Sequence, residues 1–370
     1  MKRKVLLVTE RRADYSRFKP ILELLRVDDR FDYELCVTGL HLLEQHGSTI
    51  NEIQSDGFKI SHKFDMFTDG QDTTGSMVKS LGIAIISLSE IIELSKPDII
   101  LSGFDIAANL AITIAGAHMN IPVAHIQGGE VTGTIDESIR HAMSKFSHYH
   151  FAANKDACER LIRMGERKDS VFNVGCPSID ALLAVEDDPS CLSKFNLVQP
   201  FYLILQHPVT TEYSHSRSQM HETIESIKQL DEDVLIVLPN NDAGYSSMTS
   251  VVKDTKFKIV ETLTLKDYVN LMKRSEALIG NSSSGIHETN TFNVPTVNIG
   301  TRQNGRLRSE NIIDVGHDSK DIFEGIKKAK SLKGKKFEKI YGNGDSSKKI
   351  VELLSTLSLD PSVVQKKIAY

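Results

Sequence analysis

Short runs of β-branched and aliphatic residues alternate with longer stretches of helical period along the whole chain. The runs at 4–8, 33–38, 98–102, 123–126, 149–152 and 170–173 are largely apolar and end at polar or turn-forming residues, as strands buried on both faces do. Between them, 16–25, 77–93 and 107–119 repeat apolar residues at helical spacing. The alternation pauses between Gly175 and Pro200, where Cys176-Pro177, Asp187-Asp188-Pro189 and Gln199-Pro200 punctuate the chain. It resumes with runs at 201–206, 234–238, 256–260, 277–279 and 296–299, followed by a polar stretch with helical patterns at 320–355. Such alternation predicts parallel sheets covered by helices on both faces. Its interruption predicts two Rossmann-like α/β domains facing a cleft, 1–178 and 190–354, with 355–370 joining the first.

Composition narrows the class. At 370 residues, 40% hydrophobic and 25% charged, the chain can bury two cores without staples. Its net charge of -5 arises from well-mixed acids and bases, which gives no electrostatic ground for a nucleic-acid or membrane partner. The four cysteines, Cys36, Cys158, Cys176 and Cys191, form no Cys-x-x-Cys pair, so they read as reduced thiols of a cytoplasmic protein. Met1-Lys2-Arg3-Lys4 runs into only four apolar residues, Val5 to Val8, too few for a signal-peptide core. No apolar run approaches the ~20 residues of a membrane span. A cytoplasmic location is expected.

In doubly wound sheets, ligands bind beyond the carboxyl ends of the strands, near helix amino termini. After the first strand stand Arg12 and Ser16, flanking Asp14; this reads either as a helix cap with a solvated arginine or as a ligand contact. After 123–126 come Gln127-Gly128-Gly129-Glu130, where paired glycines let backbone approach a ligand and Glu130 would face it. Asp136 and Arg140 follow, four apart on one helix face. His207 precedes Pro208 at a strand end and must point into a crevice or into packed core. Gly280-Asn281-Ser282-Ser283-Ser284 follows a strand and opens a helix, an anion site suited to a diphosphate, with Glu288 one turn in to accept from ribose hydroxyls. Arg302 follows the next strand. Neither a Walker loop nor Gly-x-Gly-x-x-Gly occurs there, and no His/Cys/Asp cluster has metal-ligand spacing.

Taken in order, these segments resemble the hydrolysing UDP-N-acetylglucosamine 2-epimerases, the bacterial enzymes of sialic-acid synthesis and the epimerase half of the bifunctional animal enzyme. The resemblance rests on Arg12-Ala13-Asp14-Tyr15-Ser16, on His125 to Glu130, and on Val131 to His141. In the second half it rests on Gln206 to Thr211, Pro239-Asn240, Gly280 to Ser283 and Gly300 to Gln303. It implies a GT-B-like fold, no metal, no cofactor, a UDP-linked N-acetylhexosamine as substrate, and a homo-oligomer, dimer or tetramer. It also implies that Ser282 and Ser283 hold the diphosphate, Glu288 the ribose, and Arg302, Arg12 and Ser16 the phosphates and sugar. Asn240 and His207 would line the cleft. His207 counts among the catalytic residues with Asp105, Glu130 and Asp136, and which carboxylate is base and which acid stays open. In one place the chain departs: the family's Gly-Asp-Arg reads Gly103-Phe104-Asp105-Ile106, so the arginine is lost. A UDP-linked 2,4-diacetamido-2,4,6-trideoxyhexose is therefore an alternative substrate. A non-hydrolysing epimerase, a GT-B glycosyltransferase and a non-catalytic nucleotide-sugar sensor are the rival readings.

Overall fold

The computed structural model describes residues 2–44, 47–67, 74–239, 242 and 244–369. The chain divides into two compact units, the first made of Met1–Glu130, Asp136–Ala181 and Gly342–Tyr370, the second of Val131–Ile135 and Leu182–Tyr341. In the first unit β1 (Arg3–Thr9), β2 (Phe31–Val37), β3 (Ile60–Lys63), β4 (Ile99–Gly103), β5 (Val123–Ile126), β6 (Tyr149–Ala152) and β7 (Val171–Asn173) form one parallel sheet in the order β3-β2-β1-β4-β5-β6-β7. In the second, β8 (Phe201–Leu205), β9 (Asp233–Val237), β10 (Lys258–Val260), β11 (Leu278–Gly280), β12 (Thr296–Ile299) and β13 (Ile312–Val315) run in the order β10-β9-β8-β11-β12-β13. Both sheets are parallel throughout.

The period of two along a strand decides how the first sheet is covered. Val5 and Leu7 face one side, where Phe18, Ile21 and Leu22 of helix Arg12–Val27 pack on them. Leu6 and Val8 face the other, against Leu88 and Ile92 of helix Thr74–Ser95 and Ile112 of helix Ala107–His118. All four strand residues are fully buried, so each contributes about 1.5–3 kcal/mol of burial, and neither face tolerates a polar residue.

Two strands escape a reading of hydrophobic runs, β3 and β13. Each lies at a sheet edge and is only partly buried, and each carries polar residues, His62 and Lys63 in one and Asp314 in the other. An edge strand has one neighbour and needs no continuous apolar run.

The unit boundaries depart from the expected ones. The final crossing comes at Gly342 rather than at 355, so helix Ser346–Thr356 belongs to the first unit. Its Ile350, Val351 and Leu354 are buried in the same core as Val5 and Leu7, and the Asp180 carboxylate accepts the Ser346 and Ser347 N–H groups at 3.2 and 2.6 Å. The polar surface of that helix hides an apolar stripe. The expected linker is itself folded, with helices Pro177–Leu183 and Cys191–Lys194. Val131–Ile135 leaves the first unit because it docks on the second: Gly133 N–H donates to the Arg302 carbonyl at 3.1 Å, and the Thr301 carbonyl leaves no room for a β-carbon at Gly133. Among the described residues, no helix is long and apolar enough to cross a membrane.

Candidate functional site

In the first sheet the strand order reverses between β1 and β4, where a doubly wound sheet offers its crevice. Both helices that begin there are already occupied by the chain's own carboxylates. Asp14 accepts the N–H groups of Glu10 and Arg11, each at 2.9 Å, and caps helix Arg12–Val27. Glu10 accepts the Ala108 N–H at 2.9 Å at the head of helix Ala107–His118 and is paired with the Arg11 guanidinium. Both acids are buried. Two fixed negative charges at these helix termini disfavour a phosphate there, by the same electrostatics that would otherwise attract one. Arg12 pairs with Glu52 at 3.0 Å and Ser16 donates to the Ala13 carbonyl at 3.1 Å.

The next two strand ends carry the predicted acids. Phe104 (φ 67°) and Gln127 (φ 60°) both adopt left-handed backbone, uncommon for residues with side chains of this size. Arg17, absent from the expected set, lies 5.0 Å above the Phe104 ring and donates to Gln127 Oε1 at 3.2 Å, joining the two turns. Arg140 joins them a second time. It donates to the Glu130 carbonyl at 2.9 Å and to the Asp105 carboxylate, and it is almost fully buried. Burial alone would lower the basicity of Arg140; the charges of Asp105, Glu130 and Asp136 outweigh it and raise it. Asp105, Glu130 and Asp136 are thus gathered in the field of one guanidinium.

The paired glycines act differently from the expectation. A β-carbon at Gly128 would press on His125 and Ser144, and one at Gly129 (φ 82°) on the Ala157 carbonyl. Close approach to the protein's own core therefore favours glycine at both positions. His125 beneath them is fully buried, and burial, then the neighbouring His150, pushes its pKa down to about 3.

In the second unit the loop after β11 lies between those after β8 and β12 in sheet order. Asn281 binds both neighbours. Its side-chain oxygen accepts the His207 N–H at 2.7 Å and its amide donates to the His207 carbonyl at 2.8 Å, while its own carbonyl accepts from Arg302 at 3.3 Å and Gln303 at 2.8 Å. Half-buried Arg302 is therefore held beside Ser282 and Ser283. Glu212, in the turn Thr210–His215 after β8, accepts from the Thr301 hydroxyl and from Gln219 at 2.7 Å. It closes a ring of contacts around the loop after β11, from β8 through Asn281 to the β12 loop and back. Sequence reasoning missed Glu212, which lies outside any recognisable pattern.

The helix expected to open at this loop is one turn, Ser284–His287, continued by the 3-10 turn Thr289–Phe292. A macrodipole needs several aligned peptides, so positive charge here comes chiefly from Arg302. Ser282 Oγ accepts the Ser284 N–H at 3.4 Å. Glu288 is buried against Tyr268, whose hydroxyl it shares with Ser284 and whose pKa burial, then Glu288, raises. His207 is buried, and desolvation, then the Arg302 charge, pushes its pKa down to about 3, so its imidazole is neutral at physiological pH. Asn240 lies outside the described residues.

Comparison with known proteins bears on both units. Residues 23–355 match the family model described as UDP-N-acetylglucosamine 2-epimerase. The chain is 35% identical, over 379 aligned residues and the full length of both proteins, to a UDP-N,N'-diacetylbacillosamine 2-epimerase (hydrolyzing) from Legionella pneumophila. It is 32% identical to a GDP/UDP-N,N'-diacetylbacillosamine 2-epimerase (hydrolyzing) from Campylobacter jejuni, covering 89% of this chain and 88% of that one. The fold matches the crystal structure of UDP-GlcNAc 2-epimerase from Neisseria meningitidis bound to UDP-GlcNAc, with a TM-score of 0.79, 21% identity, and 95% and 99% of the two chains covered.

Two outcomes are expected of these arrangements. Burial above all, opposed by the Glu10 and Arg11 N–H groups, raises the Asp14 pKa from 3.8 to about 6. Its folded-state pKa exceeds the unfolded one, so its stabilising contribution is full below 3.8 and is lost as pH rises through about 6. Asp14→Asn should flatten the pH dependence of urea unfolding in that window, by up to about 3 kcal/mol; an unchanged slope would contradict the assignment. For the ring, Thr301→Val should weaken UDP binding on the order of tenfold by calorimetry, while Thr301→Ser, which keeps the hydroxyl, should not. Equal affinities in both variants would remove Glu212 from the site.

Proposed function

Because the chain belongs to the UDP-N-acetylglucosamine 2-epimerase family, we propose that it is a hydrolysing 2-epimerase, taking a UDP-linked 2-acetamidohexose and water to UDP and the free sugar inverted at carbon 2. The observation that carries this reading is the gathering of Asp105, Glu130 and Asp136 around Arg140. Inversion through an unsaturated intermediate needs one group to remove a proton and another to return one from the opposite face. A lone carboxylate would not serve.

The bond from carbon 1 to the diphosphate oxygen breaks and UDP departs with the electron pair, its charge met by Arg302 and by donors at Ser282 and Ser283. A carboxylate of the first unit takes the proton from carbon 2, leaving a 2-acetamidoglucal. Water adds its hydroxyl to carbon 1 and gives up its proton to a carboxylate or to solvent, while a second acid delivers a proton to carbon 2 on the other face. Neutral His207 serves as a hydrogen-bonding group rather than a cationic acid. Arg302 already supplies positive charge at the leaving group, so no divalent ion is required. We place the reaction in the cytoplasm, feeding synthesis of sialic-acid-type sugars.

A second reading of the sugar, a UDP-linked 2,4-diacetamido-2,4,6-trideoxyhexose, is favoured by Ile106. Where the family has an arginine, Ile106 is 9% exposed and packs in the same core as Phe104. The two hydrolysing relatives named above carry that sugar in their names.

The pure protein should convert UDP-GlcNAc or the diacetamido nucleotide sugar to UDP and free sugar, and the better substrate identifies the sugar. Release of UDP-ManNAc instead would make it a non-hydrolysing epimerase. In heavy water the product should carry deuterium at carbon 2; an unlabelled gluco product would reduce the protein to a simple hydrolase. Asp105→Asn, Glu130→Gln and Asp136→Asn should each lower turnover by roughly a hundredfold to ten-thousandfold while UDP affinity holds. Activity lost to EDTA and restored by a divalent ion would sink the metal-free mechanism.

A further inference from the structure

The even mixing of charge along the chain, which gave no ground for a membrane partner, has one local exception in the second unit. The run from Lys327 to Lys339 holds seven lysines, no arginine and a single acid, Glu338. It begins on helix Ser319–Leu332, which buries Ile322, Ile326 and Ala329 and so turns its lysines outward. Three of the seven are engaged: Lys327 pairs with Glu324 at 2.7 Å, Lys330 pairs with Glu232 at 2.8 Å, and Lys333 donates to the Ser275 carbonyl beside Glu276. Lys328, Lys335, Lys336 and Lys339 are exposed and make no ion pair among the described residues.

The backbone turns left-handed at Gly334 (φ 82°), and the chain then crosses the amino edge of the second sheet. Lys333 is anchored at Ser275, before β11. The Phe337 N–H donates to Asn293 Oδ1 at 3.0 Å, before β12, and the Glu338 carbonyl accepts from Ser309 Oγ at 2.9 Å, before β13. Half-buried Phe337 lies within the run, and half-buried Phe292 has its ring covered by Lys273 at 4.7 Å. Arg302 stands at the opposite, carboxyl edge of the same sheet.

We propose that this lysine ledge docks the protein reversibly on an anionic phospholipid surface. A lysine held near such a surface strengthens binding about fivefold, so four unpaired lysines against one acid amount to a gain on the order of a hundredfold over neutral lipid. Ammonium groups on flexible stems suit a diffuse array of headgroups, and partly buried phenylalanines beside them suit the boundary between headgroups and acyl chains. The run lacks the arginine fork that grips nucleic-acid phosphates, and the covered face of Phe292 offers no platform for a base. Docking by the amino edge leaves the carboxyl edge of that sheet turned away from the lipid. The surface goes beyond the proposed reaction and does not depend on it.

Co-sedimentation of the full chain with vesicles tests the surface. The wild type should pellet with phosphatidylcholine vesicles containing phosphatidylglycerol, on the order of a hundredfold more strongly than with phosphatidylcholine alone, and should be released as salt rises from about 50 to 300 mM. The triple variant Lys335→Glu, Lys336→Glu, Lys339→Glu should stay in solution, whereas Lys335→Arg, Lys336→Arg and Lys339→Arg together keep the charge and should still pellet. Circular dichroism and the melting temperature show that each variant is folded. Equal binding to both kinds of vesicle, or pelleting of the folded glutamate variant, would overturn the proposal. So would binding of poly(U) RNA under conditions in which the anionic vesicles are ignored, which would assign the ledge to nucleic acid.

Discussion

A guanidinium taken out of water is costly, and the first unit is arranged around meeting that cost at Arg140. The side chain is almost fully buried, and the acids and a carbonyl that converge on it offset the cost of burying its charge. Those partners come from three places: Asp105 after β4, the Glu130 carbonyl after β5, and Asp136 one turn before Arg140 on its own helix. Each turn is thereby fixed relative to the others. The left-handed Phe104 and Gln127 are tolerable in this setting, since Arg17 and Arg140 both hold the turns in which they sit. A substitution at Arg140 would remove the guanidinium that lies between buried Glu130 and half-buried Asp105 and Asp136, and would release both turns at once.

The two sheets share a topology of strand and helix but differ in the charge at their carboxyl edges. In the first, Glu10 and Asp14 occupy the helix amino termini from within the chain. In the second, the corresponding edge presents Arg302, held to the Asn281 carbonyl and buttressed through Thr301 by Glu212. The helix termini of the first unit are thus capped from within, whereas the second carries a half-buried cation beside the loop after β11. Asymmetry of this kind follows from a few side chains, not from the fold.

Most of the fold was legible because parallel strands buried on both faces are rich in β-branched and aliphatic residues, as β1, β4, β5, β8 and β12 are. Edge strands β3 and β13 carry no such demand and went unread. The return crossing was placed too late because helix Ser346–Thr356 presents many polar residues while burying only one stripe. Among the acids, Glu130 stood out by following a strand and Asp136 by opening a helix, whereas Asp105 entered only through the family resemblance. Their shared partner was visible as a residue but not as a hub, since a spacing of four from Asp136 reads equally as a surface ion pair.

The glycines after β5 show how the room a motif suggests can be taken up by the chain itself. Gly128 and Gly129 suggest room for a ligand, yet His125, Ser144 and the Ala157 carbonyl fill the space their side chains would need. What the glycines permit is a tight descent of the chain from the sheet, and that descent delivers the Glu130 carbonyl to Arg140. Three residues on, Gly133 repeats the device on the second unit, where the Thr301 carbonyl takes the place of a β-carbon and the Arg302 carbonyl receives its N–H. The short segment Val131–Ile135 is thus bound to the loop that carries Arg302, and covalently flanked by Glu130 and Asp136. Within the second unit the segment and that loop are therefore held as one piece, and Gly133 is the position at which any side chain would part them.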